Sequence, residues 1–327
     1  MHANEFFERL FSKKLSRKEF LKIIFSGAGV LATENFFAKA ANALFSPPDY
    51  FGRKKQQLQG AYDLVVAEGE DPGKMVAAAL EAMGGMEKFV KSGSTVLIKP
   101  NIAWDRTPEQ AANTNPDVVA ALVELCFKAG AKRVNVFDNP CNDARSTYLN
   151  SGIQQAAKDR GANVFFPNKW NVVTAKFKYE SEMADWAIFR EAVECDTFIN
   201  VPVLKHHRLT GLTLSMKNLM GICGGNRGNI HTGIGKRLVD LTDFISPDLT
   251  VIDAYRVLVR NGPVGGNLED VVAMKKLIVG TDPTLADTYA CKLMNIEPLS
   301  VPYIAHAVER NFGSINIGQA NILKITA

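Results

Sequence analysis

From Tyr62 to the C-terminus, short unbroken apolar runs alternate with longer segments whose apolar residues recur every three or four positions. The unbroken runs predict strands, and the longer period predicts helices. "YDLVVAEG", "STVLIKPN", "KRVNVFDN", "ANVFFP", "CDTFINVPVLK", "LTVIDAY" and "MKKLIVG" read as strands, and "NILKI" as a last one. "DPGKMVAAALEAMGG" reads as a helix capped by Asp71 and stopped at Gly84-Gly85. "NPDVVAALVELCFKAGA" is the clearest helix, with Asn115 as cap, Pro116 in the first turn and Gly130 at the end. Further helices are expected near Ile153–Arg160, in "LTLSMKNLMG", in "KRLVDLTDFI", in "TDPTLADTYACKLMN" (capped by Thr281 or Asp282) and over about Val301–Asn311. Strands apolar on both sides need both faces covered. The predicted fold class is therefore α/β: a mostly parallel sheet with helices on both faces, in Rossmann-like layers.

The N-terminal 43 residues follow a different pattern. "LSRKEFLKIIFSGAGVLA" has a basic head, then a short apolar run from Ile23 to Ala32, and "AKAANA" follows with small residues. The apolar run is too short to span a bilayer, which takes roughly 20 residues. It suits the core of an export signal. Ser16 to Lys22 resembles a twin-arginine signal, with Lys18 where a second Arg is usual. The expected organisation is a signal segment over 1–43, a linker over 44–60, and one α/β domain over 61–327, with two lobes meeting near residue 200 as the variant reading. The expected partners are the twin-arginine export machinery and, through the signal segment alone, the membrane. The expected location is periplasmic or otherwise extracytoplasmic.

Charge changes the picture in one place only. The formal net charge is +4, and residues 1–43 carry seven Lys or Arg against four Glu. The remainder is close to neutral, which argues against nucleic acid as a partner. Yet Lys205 to Arg237 holds six Lys or Arg, three of the five histidines, seven glycines and no acid. The five cysteines are dispersed and form no C-x-x-C, so neither a zinc ribbon nor an iron–sulfur cluster of the chain's own is expected. Cys126 reads as core. Cys223, inside the glycine-rich run, is the one to watch, although a small buried residue is the simpler reading.

In open parallel sheets, ligands bind beyond the carboxyl ends of the strands. Here those ends carry Lys99 and Asn101, Asp138 and Asn139, Lys205 with His206 and His207, and Asp253. Each alone is compatible with a solvated loop or a helix cap. Converging on one edge, they predict a site. Glycine-rich backbone with Lys217, Arg227, Lys236 and Arg237 would serve a carboxylate or phosphate. The run is neither a Walker loop nor a dinucleotide fingerprint. His207 and His231 are the acid–base or metal candidates. His206 is set aside, because neighbours on an extended segment face opposite sides. Asp282 reads as an N-cap. Asp287 needs a partner if buried.

"VLIKPNIAW", "AGAKRVNVFDN", "FINVPVLKHH", "SMKNLMG", "IHTGIG", "VIDAYRVLVRNGPVGG" and "IVGTDPTLADTYACKLMN" together resemble the domain-of-unknown-function family 362, over roughly Val96 to Asn311. The resemblance implies an α/β fold and a candidate site at Lys99, Asn101, Lys205, His207, Lys217, Asn218, His231, Asp253, Asp282 and Asp287. It implies no established activity. Some members carry a ferredoxin-like iron–sulfur module, whose cysteine pattern this chain lacks. A more distant similarity, to the lactate racemase group, points to a nickel-bearing cofactor and histidine acid–base chemistry.

Two readings follow. The first is an exported enzyme acting on a small anionic substrate by proton-transfer or redox chemistry, with a metal or metal-bearing cofactor as a variant. His207, His231 and Lys217 would be catalytic. Lys99, Asn101, Lys205, Asn218, Arg227 and Lys236 would bind the anion, and Asp253, Asp282 and Asp287 are the candidate metal ligands. Racemase- or isomerase-like and oxidoreductase-associated activities are the classes considered. The second reading is a non-catalytic anion- or metal-binding protein of the cell envelope. Export makes the first testable expectation. The mature N-terminus should lie near residues 41–44, and replacing Arg17 and Lys18 with Gln should hold the precursor in the cytoplasm. N-terminal sequencing of native protein checks cleavage, and a start at Met1 or His2 refutes it.

Overall fold

The computed structural model describes residues 47–56, 58, 61–177 and 181–327. The expected signal segment lies outside them. In chain order the strands are β1 (Asp49–Tyr50), β2 (Leu64–Glu68), β3 (Thr95–Pro100), β4 (Arg133–Val136), β5 (Asn163–Val164), β6 (Val172–Ala175), β7 (Trp186–Phe189), β8 (Thr197–Val201), β9 (Val203–His207), β10 (Gly211–Thr213), β11 (Leu249–Leu258), β12 (Val271–Gly280) and β13 (Ile322–Thr326). The helices are α1 (Pro72–Ala82), α2 (Pro116–Lys128), α3 (Ala144–Asn150), α4 (Ile153–Asp159), α5 (Arg190–Glu194), α6 (Ser215–Asn218), α7 (Ile234–Ile245), α8 (Pro283–Leu293) and α9 (Pro302–Glu309).

Ten strands form one sheet in the order β13-β2-β12-β11-β8-β3-β4-β5, with β9 beside β11 and β10 beside β9. Only β12 and β10 run against the others. The sheet is thus mostly parallel, as the apolar runs predict. Period-2 alternation divides its side chains between two cores. Leu64, Val66, Leu97, Ile252 and Ile278 face one core, which is completed by α7, α8 and α9. Val65, Ala67, Val96, Ile98, Val251 and Leu277 face the other, completed by α1, α2 and α4. Asp71, Asn115 and Asp282 cap α1, α2 and α8 through the backbone amides of the first turn.

Several elements differ from the sequence reading, each for a local reason. "CDTFINVPVLK" is two strands, not one. Pro202 has no N–H to give a ladder, and the chain shifts there. β8 pairs with β3 and β11, whereas β9 pairs with β11 and β10. "LTLSMKNLMG" is not one helix. Gly211–Thr213 pairs antiparallel with Lys205–His207, and only Ser215–Asn218 is α-helical before a 3-10 turn over Leu219–Ile222. The strand through Asp253 continues to Leu258.

The glycine-rich run is tied down. Gly224 donates to Ala187 O and accepts from Trp186 Nε1, and Cys223 bridges to Ile188. β7 thereby anchors the run to a separate three-stranded sheet, β1-β6-β7. Within the segment read as linker, Arg53 is buried and forms an ion pair with Asp248. Among the described residues, no helix is long and apolar enough to cross a membrane. All five cysteines are free, and four of them are buried.

Candidate active site

The carboxyl ends of β3, β4 and β9 meet α6 in a chain of buried polar contacts. Lys99 Nζ lies 2.8 Å from Asp138 Oδ1 and donates to Asn218 Oδ1 at 3.0 Å. Asn101 Nδ2 donates to the same Asn218 oxygen at 3.0 Å, and Asn101 Oδ1 accepts from Lys205 Nζ at 3.1 Å. Asn218 Nδ2 donates to Lys99 O and to Asn200 Oδ1. Its amide therefore fills two donor and two acceptor positions, which fixes its orientation. Lys205 also donates to Ala112 O.

Asp138 is held as firmly. Its carboxylate accepts from Ile102 N at 2.7 Å and Asn139 N at 2.9 Å, and the Tyr148 hydroxyl bonds both its N–H and its C=O. The pair rests directly on Gly221. A Cβ there would lie 1.7 Å from Asp138 Oδ1 and 2.6 Å from Lys99 Nζ. Glycine is required by this contact rather than by backbone freedom.

The chain of contacts forms the floor of a cavity of about 590 Å³, within the size range of small-molecule sites. Lys99, Asn101, Asp138, Lys205, Lys217, Asn218, Arg227, His207 and His231 all line it. The cations lining it, Arg208 included, face Asp138 as the one carboxylate among the lining residues. That carboxylate is already engaged by Lys99. Lys205 is 1% exposed, yet among the described residues no carboxylate lies within ion-pair distance of it. Burial, with the Lys217 charge adding to it, pushes Lys205 down to about 7. Burial likewise pushes Lys217 down to about 8, and burial lowers Lys99 despite Asp138.

The two histidines stack with ring centroids 6.1 Å apart and planes 13° apart. Their backbone contacts are of opposite kinds. His207 Nδ1 accepts from Leu209 N at 3.3 Å. His231 Nδ1 faces Gly228 O at 3.0 Å, a contact that requires a proton on that nitrogen. Burial pushes His207 down to about 3, with Lys217 and His231 contributing, and burial also lowers His231. Both rings are therefore neutral near pH 7. In neutral rings those contacts put the Nε2 proton on His207 and leave an Nε2 lone pair on His231. The pair has the makings of an acid and a base.

The remaining sequence candidates lie elsewhere. Lys236 is exposed on the first turn of α7 and does not line the cavity. Asp253, Asp282 and Asp287, the candidate metal ligands, do not line the cavity, and each accepts from backbone amides. Asp253 accepts from Asn115 N and Tyr255 N, and burial pushes it up to about 6. Asp282 caps α8 and accepts from Ser314 N. Asp287 accepts from Ser215 N and Met216 N, so it holds the start of α6. Carboxylates make good acceptors for backbone amides in dry surroundings, and each of the three is used in that way. Among the described residues no group of three His, Cys, Asp or Glu could hold a metal ion.

His206 does face away from the ring pair, and its Nδ1 accepts from Gly262 N. Cys223 is buried, and burial pushes its thiol up to about 12. The exposed Cys141 lines the cavity instead, with Arg227 Nη2 2.9 Å from its sulfur. Sequence reasoning passed over Cys141, although it lies three residues after Asp138 at a strand end. It also passed over Thr213, which is 4% exposed, lines the cavity, and has a buried hydroxyl with no partner among the described residues.

Asp287 generates a pH prediction. Burial pushes it up to about 7, against the amide bonds that favour its ionised form. The folded protein thus keeps a proton there that the unfolded chain releases above about 4. The stability from this group is full at low pH and falls as pH rises from about 4 to about 7. Asp287→Asn removes that slope. Wild type should lose stability relative to the variant across this window in urea unfolding at several pH values. A relative gain with rising pH would show an Asp287 ionised throughout.

Residues 96–292 match the family model described as Domain of unknown function (DUF362). A thylakoid-associated protein of Synechocystis is 28% identical over 256 residues, covering 74% of this chain and 77% of that protein. The lactate racemase apoprotein from Thermoanaerobacterium thermosaccharolyticum shares 11% identity at a TM-score of 0.43, covering 76% of this chain and 61% of that one. A structural-genomics protein from Thermotoga maritima shares 14% identity at a TM-score of 0.41, covering 69% of this chain and 60% of its own. The chain thus spans about three fifths of the length of these two structures. The matched residues run from β3 to α8 and include every strand end that builds the cavity floor, and the chain belongs to the DUF362 family.

Proposed function

We propose that this protein is an enzyme that binds a small organic anion and moves a proton on it, and that its N-terminal segment carries it out of the cytoplasm through the twin-arginine machinery. The observation that carries the reading is the pairing of two neutral, stacked histidines with the buried Lys205 and half-buried Lys217, which have no carboxylate partner among the described residues. Lys205 and Lys217 would hold the anion and offset negative charge that develops on it. His231 Nε2 would take a proton as general base, and His207 Nε2–H would donate one as general acid. An isomerase-like activity is the reaction class this favours.

The binding step has a defined pH dependence. A bound anion needs protonated lysines, and Lys205 and Lys217 sit near 7 and 8 in the free protein. Affinity for sulfate or acetate should therefore fall as pH rises from 6 to 9, and also as salt rises. The histidines, already neutral, should not set this dependence, contrary to what their ordinary titration range would imply. Thermal shift at low ionic strength, read across pH, checks it. Lys205→Met should abolish the shift, and no shift with any anion would refute the site.

The chemical step is checked separately. In D₂O, NMR should show exchange of a carbon-bound hydrogen in one or more members of a panel of 2-substituted carboxylates. His231→Ala should slow that exchange at least 100-fold, the usual scale for a lost general base, while anion binding persists. Binding without exchange in any of them would leave a non-catalytic anion-binding protein.

A further inference from the structure

The cavity is cationic at its floor, and its more exposed lining carries a group of apolar side chains beside Arg208 and Asn261. Lys99, Lys205 and Asn218 are at most 2% exposed, whereas Leu209 is 69% and Val264 37% exposed. Trp104, Leu209, Pro263 and Val264 line the same cavity as the buried lysines. Exposed large apolar side chains grouped at the entrance of a charged pocket are costly to keep wet and become favourable when a ligand covers them.

The mouth is built, not loose. Gly262 N donates to His206 Nδ1 at 3.1 Å, and a Cβ on Gly262 would lie 2.0 Å from His206 O. This contact clamps the Asn261–Val264 turn against β9, the strand that carries Lys205 and His207. Asn261 donates to Asp270, and Arg106 and Gln110 donate to Gly265 O and Gly266 O. On the opposite wall, Asn113 Oδ1 accepts from Ala103 N and Trp104 N, which fixes the Trp104 backbone. An inorganic anion would engage the lysines and leave the apolar wall bare.

We infer that the ligand is a carboxylate with a hydrocarbon body, its head group held by Lys205 and Lys217 and its body lying against Trp104, Leu209, Pro263 and Val264. This rests on the anion site proposed above and adds the specificity-determining residues. His206, which does not line the cavity, acts as a positioning residue by holding the Gly262 turn.

Acetate and phenylacetate, compared at equal ionic strength by calorimetry, test it. Phenylacetate should bind at least about tenfold more tightly, because burying two methylene equivalents supplies that much. Leu209→Ser with Val264→Ser should remove most of this advantage and leave acetate affinity unchanged. Both side chains are exposed, so the double variant should fold, which circular dichroism checks. Equal affinities for the two acids would overturn the hydrocarbon body and leave the anion site standing. A phenylacetate advantage that survives in the double variant would overturn the assignment to this wall. Failure of both acids and of sulfate to bind would overturn the anion site, and this inference with it.

Discussion

The Lys99–Asp138 pair is the contact on which the site depends. Both side chains are out of water, and removing one partner from such a pair costs on the order of 3–5 kcal/mol, because the other is left charged and unpaired. Asp138 draws Ile102 N, Asn139 N and Gly221 into one arrangement, and Lys99 draws in Asn218. Asn218 then links Asn101, and through it Lys205. Three strand ends and one short helix are thereby fixed to each other through side chains, where the sheet ladder has stopped. Asp287 supports the same arrangement from behind by capping the start of α6.

The consequence is electrostatic. Backbone and amide oxygens, not carboxylates, receive Lys205. Dipoles solvate a cation less completely than an opposite charge does. Burial and the Lys217 charge bring Lys205 down to about 7, so the charge it carries is only weakly balanced by its protein partners. Burial above all, with the neighbouring positive charge adding to it, lowers His207 and His231 as well. The acid–base pair and the anion site proposed above would both draw on this one imbalance of charge, confined by the rigid floor.

Much of this could be read from the chain, for identifiable reasons. Unbroken apolar runs ending in Lys99, Asp138 and Lys205 located the carboxyl edge of a covered parallel sheet. The acid-free stretch from Lys205 to Arg237 marked where cations would collect. Asp282 was legible as a cap because Pro283 follows it. Lys236, by contrast, shares that stretch yet sits on the outer turn of α7, since local composition says nothing about which face a helix presents. Asp253 reads as a strand-end site residue and Asp287 as a buried acid in need of a partner, and here the partners of both are backbone amides, which no residue pattern displays.

What the sequence determined by itself is the layered α/β class, the caps of α1, α2 and α8, and the membership of the polar strand ends in one edge. These depend on local periodicity and on side-chain chemistry within a few residues. What only the tertiary structure decided are contacts across long separations. They include the break at Pro202 that turns one apolar run into β8 and β9, and the opposite hydrogen-bond roles of His207 and His231. They also include the arrival of Cys141, Thr213 and Trp104 at the cavity, and the clamp of Gly262 on His206. Each depends on where a distant backbone atom lies, and that position follows from packing the sheet between its two cores.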